Sequence, residues 1–240
     1  MKRFYFIALV AVALLAASCI NRQDDGPVLT YITSTVTFRP QADGSYFLKE
    51  SDDVALVVTN EDMQKYPFKD GKEKRAFVQT GVDFENPGTS RVDGFEKTYE
   101  VVLTAVDTIF TKPVIAYDKE QETTYGDDPV GVVLDEDGFP TTMIEDGYLC
   151  VRFGMPFGGL STHSINLVSG VKPEDPYYLE FRHNDNGDDF YELVDSYVNF
   201  SLKDLPDTNG ETVKLTLCWN SVVSGEHETV EFDYKSRTDW

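Results

Sequence analysis

The densest run of potential oxygen ligands in the sequence is HNDNGDDFYE, residues 183–192. Its carboxylates Asp185, Asp188 and Asp189 are candidate ligands for Ca²⁺, which binds six to eight oxygen atoms. The glycine does not occupy the offset that an EF-hand loop requires. Asn and Asp also form hydrogen-bonded turns without a metal. A calcium site on the three aspartates and a plain turn therefore both stay open, and the residues favour the turn.

The sequence contains three histidines, His163, His183 and His227. GEHETVEF, residues 225–232, opens like the zinc-protease motif HExxH, but Glu231 stands where the second histidine is required. FGGLSTH, residues 157–163, places Ser161 two positions before a histidine but lacks the G-x-S-x-G nucleophile elbow. We therefore predict no catalytic residue, no resident metal and no cofactor, and expect a protein that is not an enzyme.

Two cysteines, Cys150 and Cys218, lie in the strand-like segments YLCVRF and LTLCW. Alternation along these segments places both thiols on the less apolar face of their strands. An exported protein can keep a disulfide, but a bridge requires Cα atoms within about 7 Å. A disulfide and two unpaired cysteines both remain open, and the unpaired state is favoured.

The N-terminus has the pattern of a secretory signal peptide. A positive start at Met1–Arg3 is followed by the apolar stretch Phe4–Ala17, which is shorter than the roughly 20 residues that span a bilayer. The sequence that ends it, AASC, resembles a bacterial lipobox. We therefore predict a lipoprotein signal peptide over residues 1–18 and lipidation of Cys19.

Residues 19–27 are polar and are expected to form a flexible tether between the lipid and the folded chain. Within them, Asp24 and Asp25 resemble the acidic export signal that surface lipoproteins of the Bacteroidetes carry just after the lipidated cysteine. The resemblance implies an outer-membrane protein that faces the cell surface. A plain solvated linker is the alternative.

The chain is strongly acidic, with 42 Asp and Glu against 21 Lys and Arg and a formal net charge of −21. Such a surface repels phosphate backbones, so nucleic acid is excluded as a partner. It also offers no basic patch for anionic lipid, so membrane attachment must come from the N-terminal lipid. The hydrophobic fraction of 41% still supports packed cores.

Strand-forming residues recur along the whole chain, which predicts an all-β protein. The predicted strands are 28–38, 54–59, 75–84, 98–110, 148–153, 164–168, 177–183, 197–202, 213–219 and 229–234. NEDMQK, residues 60–65, predicts one helical turn capped by Asn60. The regular spacing of strands in the second half indicates an antiparallel β-sandwich, with Trp219 in its core.

Residues 111–131 interrupt the strands with prolines and charges. We therefore predict a first domain over 28–116, a linker over 117–130 and a sandwich domain over 131–240. The short apolar stretch 114–116 is expected to pair with the first sheet if it pairs at all.

The order of these features resembles the NigD-like lipoproteins of the Bacteroidetes. The likeness is carried by DGKEKRAFVQTGVDF and YEVVLTAVDTIFTKPV in the first half. In the second half it is carried by YLCVRFGMPFGGLSTHSINLV, YLEFRHNDNGDD, YVNFSLKDL and VKLTLCWNS. The resemblance implies an N-terminal OB-type barrel followed by a C-terminal β-sandwich. The bacteriocin-associated gene cluster that gives the family its name points to immunity.

These observations favour a surface-anchored, non-catalytic binding or interaction module whose ligand is a glycan or a protein. Bacteriocin immunity and an envelope hydrolase with an unrecognised site are the alternatives. The aromatic tips YPF, residues 66–68, and PYY, residues 176–178, are candidate contacts for sugar rings.

Overall fold

The computed structural model describes residues 28–135, 140–188 and 192–240. The predicted signal peptide, Cys19, the tether with Asp24 and Asp25, and Asp189 lie outside the described residues. The chain divides after Thr108 into two compact units, which are described separately. In the part of the chain that the structure describes, no helix is long and apolar enough to cross a membrane.

The first unit is a closed five-stranded barrel. Its strands are β1 (Thr30–Pro40), β2 (Tyr46–Lys49), β3 (Val54–Val58), β4 (Lys74–Val82) and β5 (Lys97–Thr108). They close in the order β1-β2-β3-β5-β4, and only the β3–β5 pair is parallel. Inward residues such as Val36, Phe38 and Leu103 fill the barrel. This is an OB-like barrel.

The second unit is a sandwich of two sheets. Its strands are β6 (Thr111–Pro113), β7 (Ile115–Ala116), β8 (Gly131–Val132), β9 (Met143–Glu145), β10 (Tyr148–Phe157), β11 (Ser164–Ser169), β12 (Tyr178–Asn184), β13 (Glu192–Ser201), β14 (Val213–Asn220) and β15 (His227–Tyr234). One sheet has the order β6-β13-β10-β8, with β9 also on β10, and the other has the order β15-β14-β12-β11-β7. The predicted fold class, an OB-like barrel followed by a β-sandwich, is confirmed.

The sheets of the sandwich are mixed rather than purely antiparallel. The pairs β12–β14, β11–β7 and β13–β6 are parallel. The chain leaves β12, crosses to the other sheet as β13 and returns as β14. Each crossing reverses the direction of the chain. After two crossings β14 runs in the same direction as β12, and the two strands pair as parallel neighbours. Strand spacing in the sequence does not show which consecutive strands change sheets.

The core of the sandwich lies between the two sheets and contains Trp219, which is 3% exposed. Leu215 and Leu217 on the same face of β14 are fully buried. The prediction that Trp219 belongs to the core is confirmed.

The division between the units falls earlier than the sequence predicted. Residues 109–116 belong to the second unit, where β6 pairs with β13 and β7 pairs with β11. The expectation that residues 114–116 pair with the first sheet is therefore wrong. The segment predicted as a linker, 117–130, contains a 3₁₀ turn, Lys119–Gln121, and the single-turn helix α1, Glu122–Tyr125. Hydrogen bonds to β12 hold it in place, as described below.

The turn predicted at residues 60–65 is a 3₁₀ turn, Glu61–Met63, but Asn60 does not cap it. The Asn60 side chain instead pairs with the backbone of Leu103 on β5. Its Nδ2 donates to the Leu103 carbonyl at 3.1 Å, and its Oδ1 accepts from the Leu103 N–H at 3.0 Å. The hydrogen bonds to β5 therefore replace the predicted cap of the turn.

Candidate functional site

An open cleft of about 390 Å³ lies on the outer face of the β12–β14 sheet. Strand alternation creates it, because Leu179, Phe181 and His183 of β12 are buried while Glu180 and Arg182 point to the other face. The residues that line the cleft are Tyr117, Glu122, Val171, Tyr178, Glu180, Arg182, Cys218 and His227.

Arg182 lies at the centre of the cleft and is held on three sides. Its Nη2 is 2.5 Å from Oε1 of Glu122, and its Nη1 is 2.8 Å from Oε2 of Glu180. Nε donates to the carbonyl of Gly126 at 2.7 Å. Asp127 places a third carboxylate 3.9 Å from Nη1. One guanidinium thus faces three carboxylates, and the cleft keeps a net negative charge when the nearby Lys172 ammonium is counted.

Aromatic and thiol groups line the rest of the cleft. The Lys172 ammonium sits 3.6 Å from the centre of the Tyr178 ring, and Tyr178 and Cys218 both line the cleft. Burial raises the pKa of the Cys218 thiol. The sulfur is therefore protonated at neutral pH, which is the unreactive form of a cysteine. At the rim, His227 lies 3.2 Å from Asp127.

A second polar assembly occupies the loop end of the same unit. Nδ1 of His163 lies 2.9 Å from Nε2 of His183, and Nε2 of His163 lies 3.0 Å from Oδ2 of Asp188. The His163 and Asp188 side chains are 4% and 1% exposed, and His183 is 1% exposed. We call these three residues the His–Asp chain.

Asp188 also binds the backbone of the 158–163 loop. Its carboxylate accepts the N–H groups of Gly158, Gly159 and Leu160 at 2.8, 2.9 and 3.0 Å. Burial by itself raises the pKa of this carboxyl. The hydrogen bonds from the three amides and from His163 outweigh burial and hold the pKa of Asp188 at about 2.

The His–Asp chain has the order of a catalytic triad but not its chemistry. In a catalytic triad the third residue is a serine or cysteine nucleophile, whereas here it is His183. Burial, and then the neighbouring His163, lower the pKa of His183. Because the three side chains are closed off from solvent, the arrangement is suited to holding loops rather than to binding a substrate.

The predicted calcium ligands are used differently. Asp185 Oδ1 accepts the N–H of Gly187 at 2.7 Å, as in an Asx turn, and Asp188 faces the amides and His163. Asp189 lies outside the described residues. Within the described ranges, no group of three or more His, Cys, Asp or Glu side chains is placed to hold a metal ion.

The two cysteines lie in different sheets, Cys150 on β10 and Cys218 on β14, and are not joined to each other. Both are buried, so the less apolar faces that the sequence indicated are nevertheless covered.

The aromatic tips are also used for packing. Tyr66 and Phe68 contact Tyr46 and Phe38 of the barrel core in edge-to-face geometry. In the second unit, Tyr178 is 6% exposed. Tyr66, Phe68 and Tyr177 are half-buried.

Sequence reasoning missed the cleft around Arg182. Alternation in YLEFRH could have placed Glu180 and Arg182 together on one face. No local pattern joins them to Glu122, which is 60 positions away and reaches β12 only because α1 packs there. The contact between His163 and His183 was missed for the same reason, since it depends on the pairing of β11 with β12.

The fold and the site define a class: a two-unit, all-β protein whose sandwich carries an open acidic cleft. A family model, the NigD-like C-terminal beta sandwich domain, matches residues 113–234, just over half of the chain. The chain belongs to this NigD-like family. The match begins close to the structural division at residue 108, in agreement with the assignment of 109–116 to the sandwich.

Solved structures from the Bacteroidetes share the fold over both units. A protein described as toxin-related from Parabacteroides distasonis is 28% identical, with a TM-score of 0.65, and the match covers 86% of this chain and 94% of that one. A protein of unknown function from Bacteroides vulgatus is 25% identical, with a TM-score of 0.67 and coverage of 85% and 91%. A NigD-like immunity protein from Bacteroides caccae is 17% identical, with a TM-score of 0.57 and coverage of 85% and 97%. Among the curated proteins, none matches the chain.

Proposed function

We propose that this chain is a lipid-anchored lipoprotein of the outer membrane and a non-catalytic binding module. Its ligand-contacting site is the cleft around Arg182, and the ligand is a protein or peptide that presents a cationic side chain. The observation that carries the proposal is the charge of the cleft, in which three carboxylates surround one guanidinium that they already neutralise.

The charge of the cleft favours a basic group over an acidic or neutral one. The nitrogens of Arg182 are engaged by Glu122, Glu180 and the Gly126 carbonyl. The remaining charge is negative, and its field attracts a lysine or arginine side chain. Tyr117, which is 37% exposed, offers an aromatic surface beside the carboxylates. The protonated Cys218 and the enclosed His–Asp chain support a role without catalysis.

The anchor is the part of the proposal that rests on the sequence. A diacylated thioether at Cys19 with an N-acyl chain supplies more than the two signals that stable membrane attachment requires. The acidic pair Asp24 and Asp25 supports a surface-facing position, where a cleft would meet extracellular proteins.

The cleft is tested by NMR titration of the full mature chain with two short peptides that differ at one position, lysine in one and norleucine in the other. We expect shift changes at Tyr117, Arg182 and His227 with the lysine peptide alone. Glu122→Gln removes one carboxylate charge and is expected to weaken binding several-fold. Glu211→Gln, an equal charge change at an exposed site outside the cleft, is the matched control. Equal effects of the two variants, or equal shifts with both peptides, would reject the cleft as the site.

The anchor is tested in cells. Cys19→Ser is expected to abolish acyl labelling, and a variant that still partitions into the detergent phase contradicts lipidation. Asp24→Ala with Asp25→Ala is expected to keep acylation and to protect the protein from protease added to intact cells. If the wild type is spared as well while a known surface protein is digested, the protein faces the periplasm.

Bacteriocin immunity is the second candidate function. The neighbours from B. caccae and P. distasonis are described as an immunity protein and as toxin-related, and an immunity protein must bind or intercept its toxin at the envelope. We expect a strain that lacks the gene to become sensitive to a peptide toxin from a competing strain. Complementation by the wild type but not by Glu122→Gln would connect immunity to the cleft, whereas unchanged sensitivity would reject it.

A further inference from the structure

The His–Asp chain joins two surface loops through groups that are closed off from solvent. Asp188 belongs to the turn that follows β12, and its carboxylate holds three consecutive amides of the 158–163 loop. His163 at the end of that loop contacts His183 of β12 and Phe157, whose ring centre lies 5.1 Å away. This arrangement places Leu160 at the loop tip, where it is 71% exposed.

Three of the four ring nitrogens of the two histidines are engaged in hydrogen bonds. Nε2 of His163 donates its hydrogen to Asp188. Nδ1 of His163 and Nε2 of His183 share one hydrogen between them, because each distance requires a donor on one side and an acceptor on the other. An additional proton can therefore only add a hydrogen at Nδ1 of His183, which is buried and has no hydrogen-bond partner among the described residues.

We propose that the His–Asp chain is a proton-operated clamp, which holds the 158–163 loop closed at neutral pH and releases it in acid. The closed form accepts a proton only by creating a buried N–H group that has no acceptor in hydrogen-bond geometry among the described residues. In the opened form Nδ1 of His183 is solvated and accepts a proton. Opening is therefore coupled to proton uptake, and acidification shifts the loop towards the open form.

The charged groups around the histidines set the direction of this coupling. His183 faces His163, Asp128 from the segment before β8 and Asp185 from the following turn, while His163 faces Asp188. Burial and the neighbouring imidazole nevertheless lower the pKa of His183 despite the two aspartates. Glu180 and Arg182 point to the opposite face of β12 and line the cleft.

Hydrogen exchange of the Gly158, Gly159 and Leu160 amides in the full mature chain tests the clamp directly. With intrinsic rates corrected, one histidine with an open-state pKa of about 6.5 predicts a loss of protection of roughly eightfold between pH 7.0 and 5.5. Amides in the central strands β12 and β14 should keep their protection. Protection that stays constant at the three loop amides, or that falls equally in the central strands, overturns the proposal.

The remaining histidine provides a matched control. His227 lies on β15, is half exposed and pairs with Asp127 rather than with the clamp. His227→Gln is expected to leave the pH dependence of the three amides unchanged. His183→Gln keeps an amide that can either donate to or accept from His163, and it should flatten the pH dependence. If His183→Gln retains the full wild-type pH dependence, the clamp is not operated by this pair.

If His183→Gln does not fold, the ¹⁵N chemical shifts of the wild-type imidazoles test the clamp. Protonation of His183 while the loop amides remain protected overturns the clamp.

Discussion

Asp188 accepts four hydrogen bonds although its side chain is almost fully enclosed. A buried carboxylate is costly unless donors replace the water that it loses. Here the three donors from the 158–163 loop are consecutive amides, so one side chain fixes the path of a whole turn. Gly159 makes this path accessible, since its φ of +76° lies in the region that favours glycine.

Asp188→Asn is expected to lower the stability of the second unit, because an amide nitrogen then faces backbone N–H donors. The pKa of Asp188 is about 2 in the folded protein, below its ordinary value of 3.8. Its stabilising effect is therefore complete above pH 3.8 and is lost as the pH falls from 3.8 towards 2. In urea titrations followed by tryptophan fluorescence, the gap between wild type and variant should be widest at pH 5–7 and narrow below about pH 4. Asp185→Asn is the control, and an equal effect would contradict the special role of Asp188.

Trp219 is buried in the sandwich core, and within the part of the chain that the structure describes its indole Nε1 has no hydrogen-bond partner. Trp219→Ala should reduce the free energy of unfolding by about 3–5 kcal/mol, because it leaves a cavity between the sheets. Trp219→Phe keeps an aromatic ring and removes the unpaired N–H, so its cost should be smaller. Thermal melting that does not separate the two variants would contradict this packing.

At the scale of elements, the cleft depends on α1 and the turn that follows it. Gly126 ends α1 with a φ of +71°, and its carbonyl accepts the hydrogen bond from Arg182. A Cβ atom at this position would lie 2.4 Å from the His183 carbonyl oxygen. The glycine thus permits the close approach of α1 to β12 that brings Glu122 to Arg182.

The variant Gly126→Ala tests the close approach of α1 to β12, and Gly170→Ala is its control. Both positions have positive φ, at +71° and +79°, so both variants introduce backbone strain. Gly126 also has a ψ of 177°, which places it in a region that is essentially restricted to glycine. A Cβ at Gly170 has no atom of the described residues within 4 Å, whereas a Cβ at Gly126 collides with backbone. Gly126→Ala should therefore lower the melting temperature more than Gly170→Ala and should perturb the Arg182 side-chain NMR signals. Equal melting temperatures would show that α1 does not need this contact.

The sequence predicted the longer strands but not the short ones or the contacts between them. TYEVVLTAVDT and VKLTLCW carry enough alternation to identify β5 and β14. Strands of two to four residues, such as β2 and β7, are too short for any periodicity to appear. Asn60 shows a further limit of prediction from sequence. Its side chain pairs with the backbone of a strand more than 40 positions away instead of capping the 3₁₀ turn. The cleft and the His–Asp chain both depend on such distant partners.

At the scale of the whole molecule, the segment 109–116 connects the two sheets of the sandwich. β6 extends the sheet at β13, and two residues later β7 extends the other sheet at β11. Val114 lies between them and is 8% exposed in the core. Lys112 donates to Asn166 Oδ1 of the opposite sheet at 2.9 Å. The segment therefore links both layers at one edge.

This geometry predicts where the chain can be divided. A fragment of residues 109–240 contains both edge strands and Val114, so we expect it to fold alone and to melt cooperatively. A fragment of residues 117–240, which starts at the linker that the sequence indicated, leaves the β13 and β11 edges unpaired and opens the core at Val114. It should be markedly less stable or unfolded.

Both tryptophans, Trp219 and Trp240, lie in the second unit. Tryptophan fluorescence therefore reports on this unit alone, in the fragments and in the full chain. Equal unfolding midpoints for the two fragments would show that residues 109–116 do not stabilise the sandwich, while a 109–240 fragment that fails to fold would show that the sandwich requires the barrel.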